Sequence, residues 1–152
     1  MLLVAANLGR TTHPQSMRVA GWVVSVRADG FTGRVACDLH KPRIEYRRSA
    51  LVIRLGRHLN TADIAYRIDG GPPIWTRSDE MELARLGFAL GGDSLTNPSG
   101  GLVRIPARRL QAARVVAIQP RPWKAPIQFD VAGLGPALDA ATKAGCGPNS
   151  FD

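Results

Sequence analysis

The sequence predicts a mainly β domain, an antiparallel β-sandwich or partly closed barrel with a short C-terminal α-helix. Three observations carry that prediction. Apolar and polar residues alternate in short runs, the period-two pattern of half-buried strands. Gly (16) and Pro (11) punctuate those runs at short intervals. Only the last stretch changes to a helical period. The 152 residues match one ordinary domain, and 45% hydrophobic residues suffice for a core. No linker or repeat divides the chain. Residues 1–17 read as a flexible N-terminal segment, and residues 18–152 as a single β-rich domain.

Taken in order, Trp22, Val24 and Val26 share one face of the first strand, and Asp29-Gly30 marks a turn. Val35, Cys37 and Leu39 point inward on the next strand, with Asp38 and His40 outward. After Pro42, Ile44 and Tyr46 open a further alternation, followed by Leu51, Ile53 and Leu55 with Arg54 outward. Ile64, Tyr66 and Ile68 form another strand before the turn Asp69-Gly70-Gly71-Pro72-Pro73, and Trp75 opens its return. Residues 78–90 fit a short helix capped by Ser78-Asp79-Glu80 or a strand through Met81, Leu83 and Phe88. The strand is favoured because Gly91-Gly92 follows closely. Asn97 to Gly101 is a loop, and Val103 and Ile105 a strand. Pro106 leads one helical turn over 107–113, and 114–119 is a strand broken by Pro120-Arg121-Pro122. Ile127, Phe129 and Val131 complete the sheet pattern. Leu134, Leu138 and Ala141 then share a helix face, with Pro136 at the first helical position and Gly145 as its C-terminal cap.

The two cysteines, Cys37 and Cys146, have no CxxC or zinc spacing. They are buried thiols or one disulfide, and the helix delivers Cys146 back toward the sheet that carries Cys37. A bridge would imply an oxidising compartment. No run of 18 apolar residues is present. Met1 to Asn7 lacks the basic start of a signal peptide, while Val4-Ala5-Ala6 has the small-residue look of a cleavage site. That fits either the stub of an export signal or an ordinary N-terminal segment.

The second half resembles small exported bacterial β-proteins. Tyr66-Arg67-Ile68-Asp69-Gly70-Gly71, Trp75, and Phe129-Asp130-Val131-Ala132-Gly133-Leu134 before a helix and Cys146 carry the likeness. Over residues 50–146 it is similar to accessory proteins associated with type VI secretion and, second, to the invasion-associated locus B family. The resemblance implies a periplasmic or secreted β-sandwich with a cysteine bridge and no catalysis. Leu55-Gly56 stands where that pattern places a cysteine, so the bridge would fall to Cys37 and Cys146.

The formal charge is +8, with 17 Arg against 3 Lys. Such a balance points to an anionic partner, or to a solvated surface in which arginine has replaced lysine. Two stretches concentrate it. Residues 41–57 hold Lys41, Arg43, Arg47, Arg48, Arg54 and Arg57 against Glu45 alone. Residues 104–124 hold Arg104, Arg108, Arg109, Arg114, Arg121 and Lys124 with no acid, and include Trp123. Arg43, Arg47, Arg48, Arg104, Arg108, Arg109, Arg121 and Lys124 form the candidate anion- or partner-binding surface.

Catalytic chemistry finds no foothold. There is no G-x-S-x-G, no H-x-H or H-E-x-x-H, no P-loop and no dinucleotide fingerprint. His13, His40 and His58 are isolated, and His40 faces away from Cys37. Asp69 reads as a turn-capping carboxylate. The expected protein is therefore non-catalytic, without metal or cofactor, and has a binding or structural role in the cell envelope or secreted space. The alternative is a cytoplasmic nucleic-acid-binding module that uses the arginine-rich stretches.

Overall fold

A computed structural model of the chain describes residues 14–88 and 100–152. It contains two antiparallel sheets over one core. The larger has six strands: β1 (Gln15–Val19), β2 (Trp22–Ala28), β3 (Val35–Lys41), β4 (Ile44–Arg47), β5 (Ala50–Arg54) and β8 (Leu102–Pro106), in the order β1-β2-β3-β4-β5-β8. The smaller holds β6 (Ala65–Ile68), β7 (Ile74–Trp75), β9 (Val115–Ile118) and β10 (Ile127–Asp130), in the order β10-β9-β6-β7. Neither sheet closes on itself, an arrangement that fits a sandwich or an open barrel.

The alternation sets which side chains meet. Trp22, Val24, Leu39, Leu51, Ile53, Val103 and Ile105 fill the inner face of the large sheet. They pack in one cluster with Tyr66, Val116, Ile118 and Phe129 from the small one. Tight hairpins fix the register. Ala20-Gly21 and Arg48-Ser49 both have positive φ at two successive positions, the backbone that two-residue hairpins require. Gly101 has a steric reason as well: at φ +72, a Cβ there would collide with the Gly56 carbonyl.

The C-terminal helix α2 (Leu134–Lys143) lies against β1, β2 and β3 and buries Leu134, Ala137 and Ala141. It begins at Leu134, after Gly133 as N-cap and two residues earlier than its sequence suggests, so Pro136 is its third residue. The first turn tolerates proline there because its N–H groups have no intrahelical acceptors. The helix stops as expected at Gly145, φ +103. Gly145 N–H donates to Thr142 O and Cys146 N–H to Ala141 O, the paired bonds of a Schellman motif. This stop places Cys146 against β3, where it forms a disulfide with Cys37 across 109 residues, Cα to Cα 6.2 Å.

Three local expectations change. Residues 15–17, read as part of a loose segment, belong to β1 and pair with β2. Residues 80–85 form helix α1 (Glu80–Arg85) and not a strand; residues 89–90 of that expectation lie outside the described residues. Glu80 and Glu82 in its first turn and Arg85 in its last suit the helix dipole, Gly87 (φ +91) follows it, and Met81 faces solvent. The helical turn after Pro106 is only one 3₁₀ turn, Ala107–Arg109. Of the expected loop 97–101, residues 100–101 form a turn and 97–99 lie outside the described residues.

Candidate anion-binding surface

Strand alternation builds the outer face of the large sheet from its polar residues. Pairing aligns Arg18, Val23, His40, Glu45, Val52 and Arg104 in one row across all six strands. Arg47 and Arg54 stand on the same face, one step to either side of that row. Arg47, Arg48, Arg54, Arg104, Glu45 and Phe88 line one small cavity there of about 190 Å³. The Arg104 guanidinium lies 5.4 Å from the Phe88 ring centroid. Among the described residues its buried Nε has no hydrogen-bond partner. Burial, and then the like charge of Arg47, lower its pKa from the usual arginine value.

The eight residues singled out by sequence do not share one surface. Arg43 (φ +65) occupies the β3–β4 turn, and its guanidinium donates to Arg54 O at 3.0 Å and Leu55 O at 2.7 Å while lying over Phe129. It fastens the turn to the end of β5 and to the second sheet. Arg48 donates to Gly87 O at 2.7 Å and pairs with Asp152 at 3.6 Å. Arg108 forks onto Glu82 at 2.6 and 2.7 Å, and this bond is the main cause that holds the Glu82 pKa below the carboxylate norm. Arg109 meets Asp79 at 2.9 Å. Arg121 and Lys124 sit in the β9–β10 connection on the smaller sheet, on either side of a Trp123 that is 98% exposed. Among the eight, Arg47, Arg48 and Arg104 border one cavity together with Arg54, and of these Arg48 is engaged by Gly87 O and Asp152.

Arg109 belongs to a buried polar cluster that the linear pattern hid. Tyr66 donates to Asp79 Oδ2 at 2.5 Å, and the Asp79 side chain is 0% exposed. Desolvation first, then the bond to Asp79, push the Tyr66 hydroxyl far above its normal pKa. Tyr66 and Arg109 thus hold the Asp79 carboxylate inside the protein. The arrangement fastens α1 and the turn after β8 to β6. Ser78-Asp79-Glu80 had the form of a helix cap, but the Asp79 carboxylate makes no cap bond.

Other candidate chemistry resolves into structure. Asp69 Oδ1 accepts from the N–H groups of Arg114 and Val115, both at 2.9 Å, and these bonds lower its pKa. Asp29 likewise accepts from Phe31 and Thr32 in the β2–β3 turn. Lys41, one of the basic stretch, is buried on the inner face. Among the described residues no three His, Cys, Asp or Glu side chains group to hold a metal ion, and no helix is long and apolar enough to cross a membrane. The disulfide suggests a non-reducing compartment.

No family model matches this chain, and no curated protein or solved structure matches it.

Proposed function

We propose that this chain is an exported, non-catalytic binding protein of the bacterial envelope or secreted space, periplasmic or released, whose partner is anionic. The Cys37–Cys146 disulfide carries this reading. It joins the central part of a core strand to the turn that follows α2, and a bridge of this kind persists best in an oxidising compartment. The resemblance of residues 50–146 to exported β-proteins agrees with it. The clustered ionisable side chains at Asp79, Asp69 and Glu82 have structural partners, which favours binding over catalysis. The outer-face arginines Arg47, Arg54 and Arg104, without a carboxylate partner among the described residues, supply the charge complement for an anionic partner.

The test is a thiol count on protein from its native source, alkylated during lysis and read by intact mass with and without reductant. Two cysteines that become reactive only after reduction support export. Immediate modification of both under denaturing conditions overturns it.

A second reading, a nucleic-acid-binding module, has one observation of its own: exposed Trp123 between Arg121 and Lys124 offers a stacking ring beside two cations. Quenching of Trp123 fluorescence by a single-stranded oligonucleotide, weakening steeply with salt, would favour it.

A further inference from the structure

The cavity around Arg104 has a charge and a size that define its ligand. Arg104, Arg47 and Arg54 have no carboxylate partner among the described residues, whereas Arg48 is already engaged. Glu45 is the opposing charge in the lining, so the free groups leave a surplus of two positive charges. A phosphomonoester carries about −1.5 to −2 near neutral pH, a close complement, where a single carboxylate carries half as much. At about 190 Å³ the space is smaller than the roughly 300–1,000 Å³ of typical small-molecule pockets and admits a headgroup rather than a whole nucleotide. Arg104 is also pre-positioned. Phe88 stacks on its guanidinium, and the strand holds it beside a like charge, an arrangement an anion relieves.

We propose that the Arg47–Arg54–Arg104 cavity binds a terminal phosphate group, as inorganic phosphate or as the monoester headgroup of a lipid such as phosphatidic acid, with Arg104 as its central donor. This rests on the anionic-partner reading and sharpens it. The oxidised full-length protein is titrated with inorganic phosphate at constant ionic strength, following backbone amide shifts in β5 and β8. Saturable shifts are expected, about tenfold weaker in Arg104→Met and several-fold weaker in Arg47→Gln. The double substitution Arg121→Ala, Lys124→Ala should bind as wild type. Arg47 is exposed, so its variant serves even where Arg104→Met does not fold.

Vesicles then separate the two sources. Preference for phosphatidic acid over phosphatidylglycerol in phosphatidylcholine, lost in Arg104→Met, identifies a lipid headgroup. Phosphate binding without that preference identifies the free ion. No saturable phosphate binding, or equal binding by both cavity variants and wild type, overturns the site. In that event, vesicle binding that tracks total negative charge leaves the anionic-partner reading standing, and no binding to any anionic vesicle removes that too.

Discussion

Lys41 and Trp22 converge on one acceptor, the carbonyl oxygen of Ala132. Trp22 Nε1 donates at 2.8 Å and Lys41 Nζ at 3.0 Å, with the ammonium 5.2 Å from the indole centroid. The chain just beyond β10 is thereby tied to β2 and β3, so this node links the two sheets. Lys41 also lies 3.4 Å from Asp130, whose side chain is 74% exposed. Lys41→Met keeps most of the stem packing and removes the charged donor, while Trp22 still satisfies the carbonyl. A loss of about 1–2 kcal/mol is expected in urea denaturation. Asp130→Asn should cost under about 1 kcal/mol, since the Asp130 side chain is largely solvated and an amide oxygen there can still accept from Ala132 N–H. A larger effect at Asp130 than at Lys41 would contradict this assignment.

The Tyr66–Asp79–Arg109 cluster predicts a response at high pH. The folded pKa of Tyr66 lies above its unfolded value of about 10. Its contribution to stability is therefore complete below pH 10 and is lost as pH rises beyond it. In a phenolate absorbance titration, the Tyr66 signal should appear only with unfolding. Asp79→Ala should destabilise by about 3–5 kcal/mol because it orphans a half-buried guanidinium, and Tyr66→Phe by about 1–3 kcal/mol because Asp79 keeps Arg109. Titration of Tyr66 near its unfolded value in the folded protein would disprove the buried bond.

The disulfide makes a third case. Crosslinking positions 109 residues apart restricts the unfolded chain and, on loop entropy, stabilises by about 4–5 kcal/mol. Its effect also extends locally. β4 reaches only Leu39, His40 and Lys41 of β3, and the C-terminal tail supplies the next partner: Cys37 N–H donates to Ser150 O at 2.8 Å, and Arg48 N–H to Phe151 O. Phe151 then packs edge-on against Tyr46 at 4.9 Å. Reduction should lower the denaturation midpoint markedly, and hydrogen exchange at Cys37 and Arg48 should rise before exchange at Leu51 or Ile105.

These clusters show why architecture was easier to read than the site. A strand declares itself through its nearest neighbours, so the inward set Val24, Leu39, Ile53 and Phe129 is visible in the alternation. The Asp69 turn and the Gly145 stop are equally local. Cys146 was traceable to Cys37 because one is on an inward position and the other follows a helix end. Binding competence at an arginine depends instead on what lies opposite in space. Arg104 and Arg108 look alike in one basic stretch, yet Glu82 neutralises Arg108 from another element while Arg104 faces Arg47. The outward position of Arg54 between inward Ile53 and Leu55 was the one available signal for it. Helix α1 was missed because six residues with one buried side chain, Leu83, are too few to show a period.

A last prediction concerns the β4–β5 hairpin. Arg48 (φ +47) and Ser49 (φ +58) both adopt the left-handed backbone that glycine or asparagine normally takes in such turns. For other residues this conformation costs about 1 kcal/mol or more each. The surroundings hold it. Ala107 N–H donates to Ser49 O at 2.9 Å, while the Arg48 side chain reaches Gly87 O and Asp152. Only the main chain of Ser49 is used, so Ser49→Gly should keep every contact and relieve the strain. Added freedom in the unfolded chain offsets part of the gain, leaving about 0.5–1 kcal/mol of stabilisation. Arg48→Gly relieves the same strain but forfeits both side-chain contacts, and should be neutral or destabilising. Thermal and urea midpoints of the two variants check this directly. A loss of stability in Ser49→Gly would mean that its hydroxyl has a role beyond the turn.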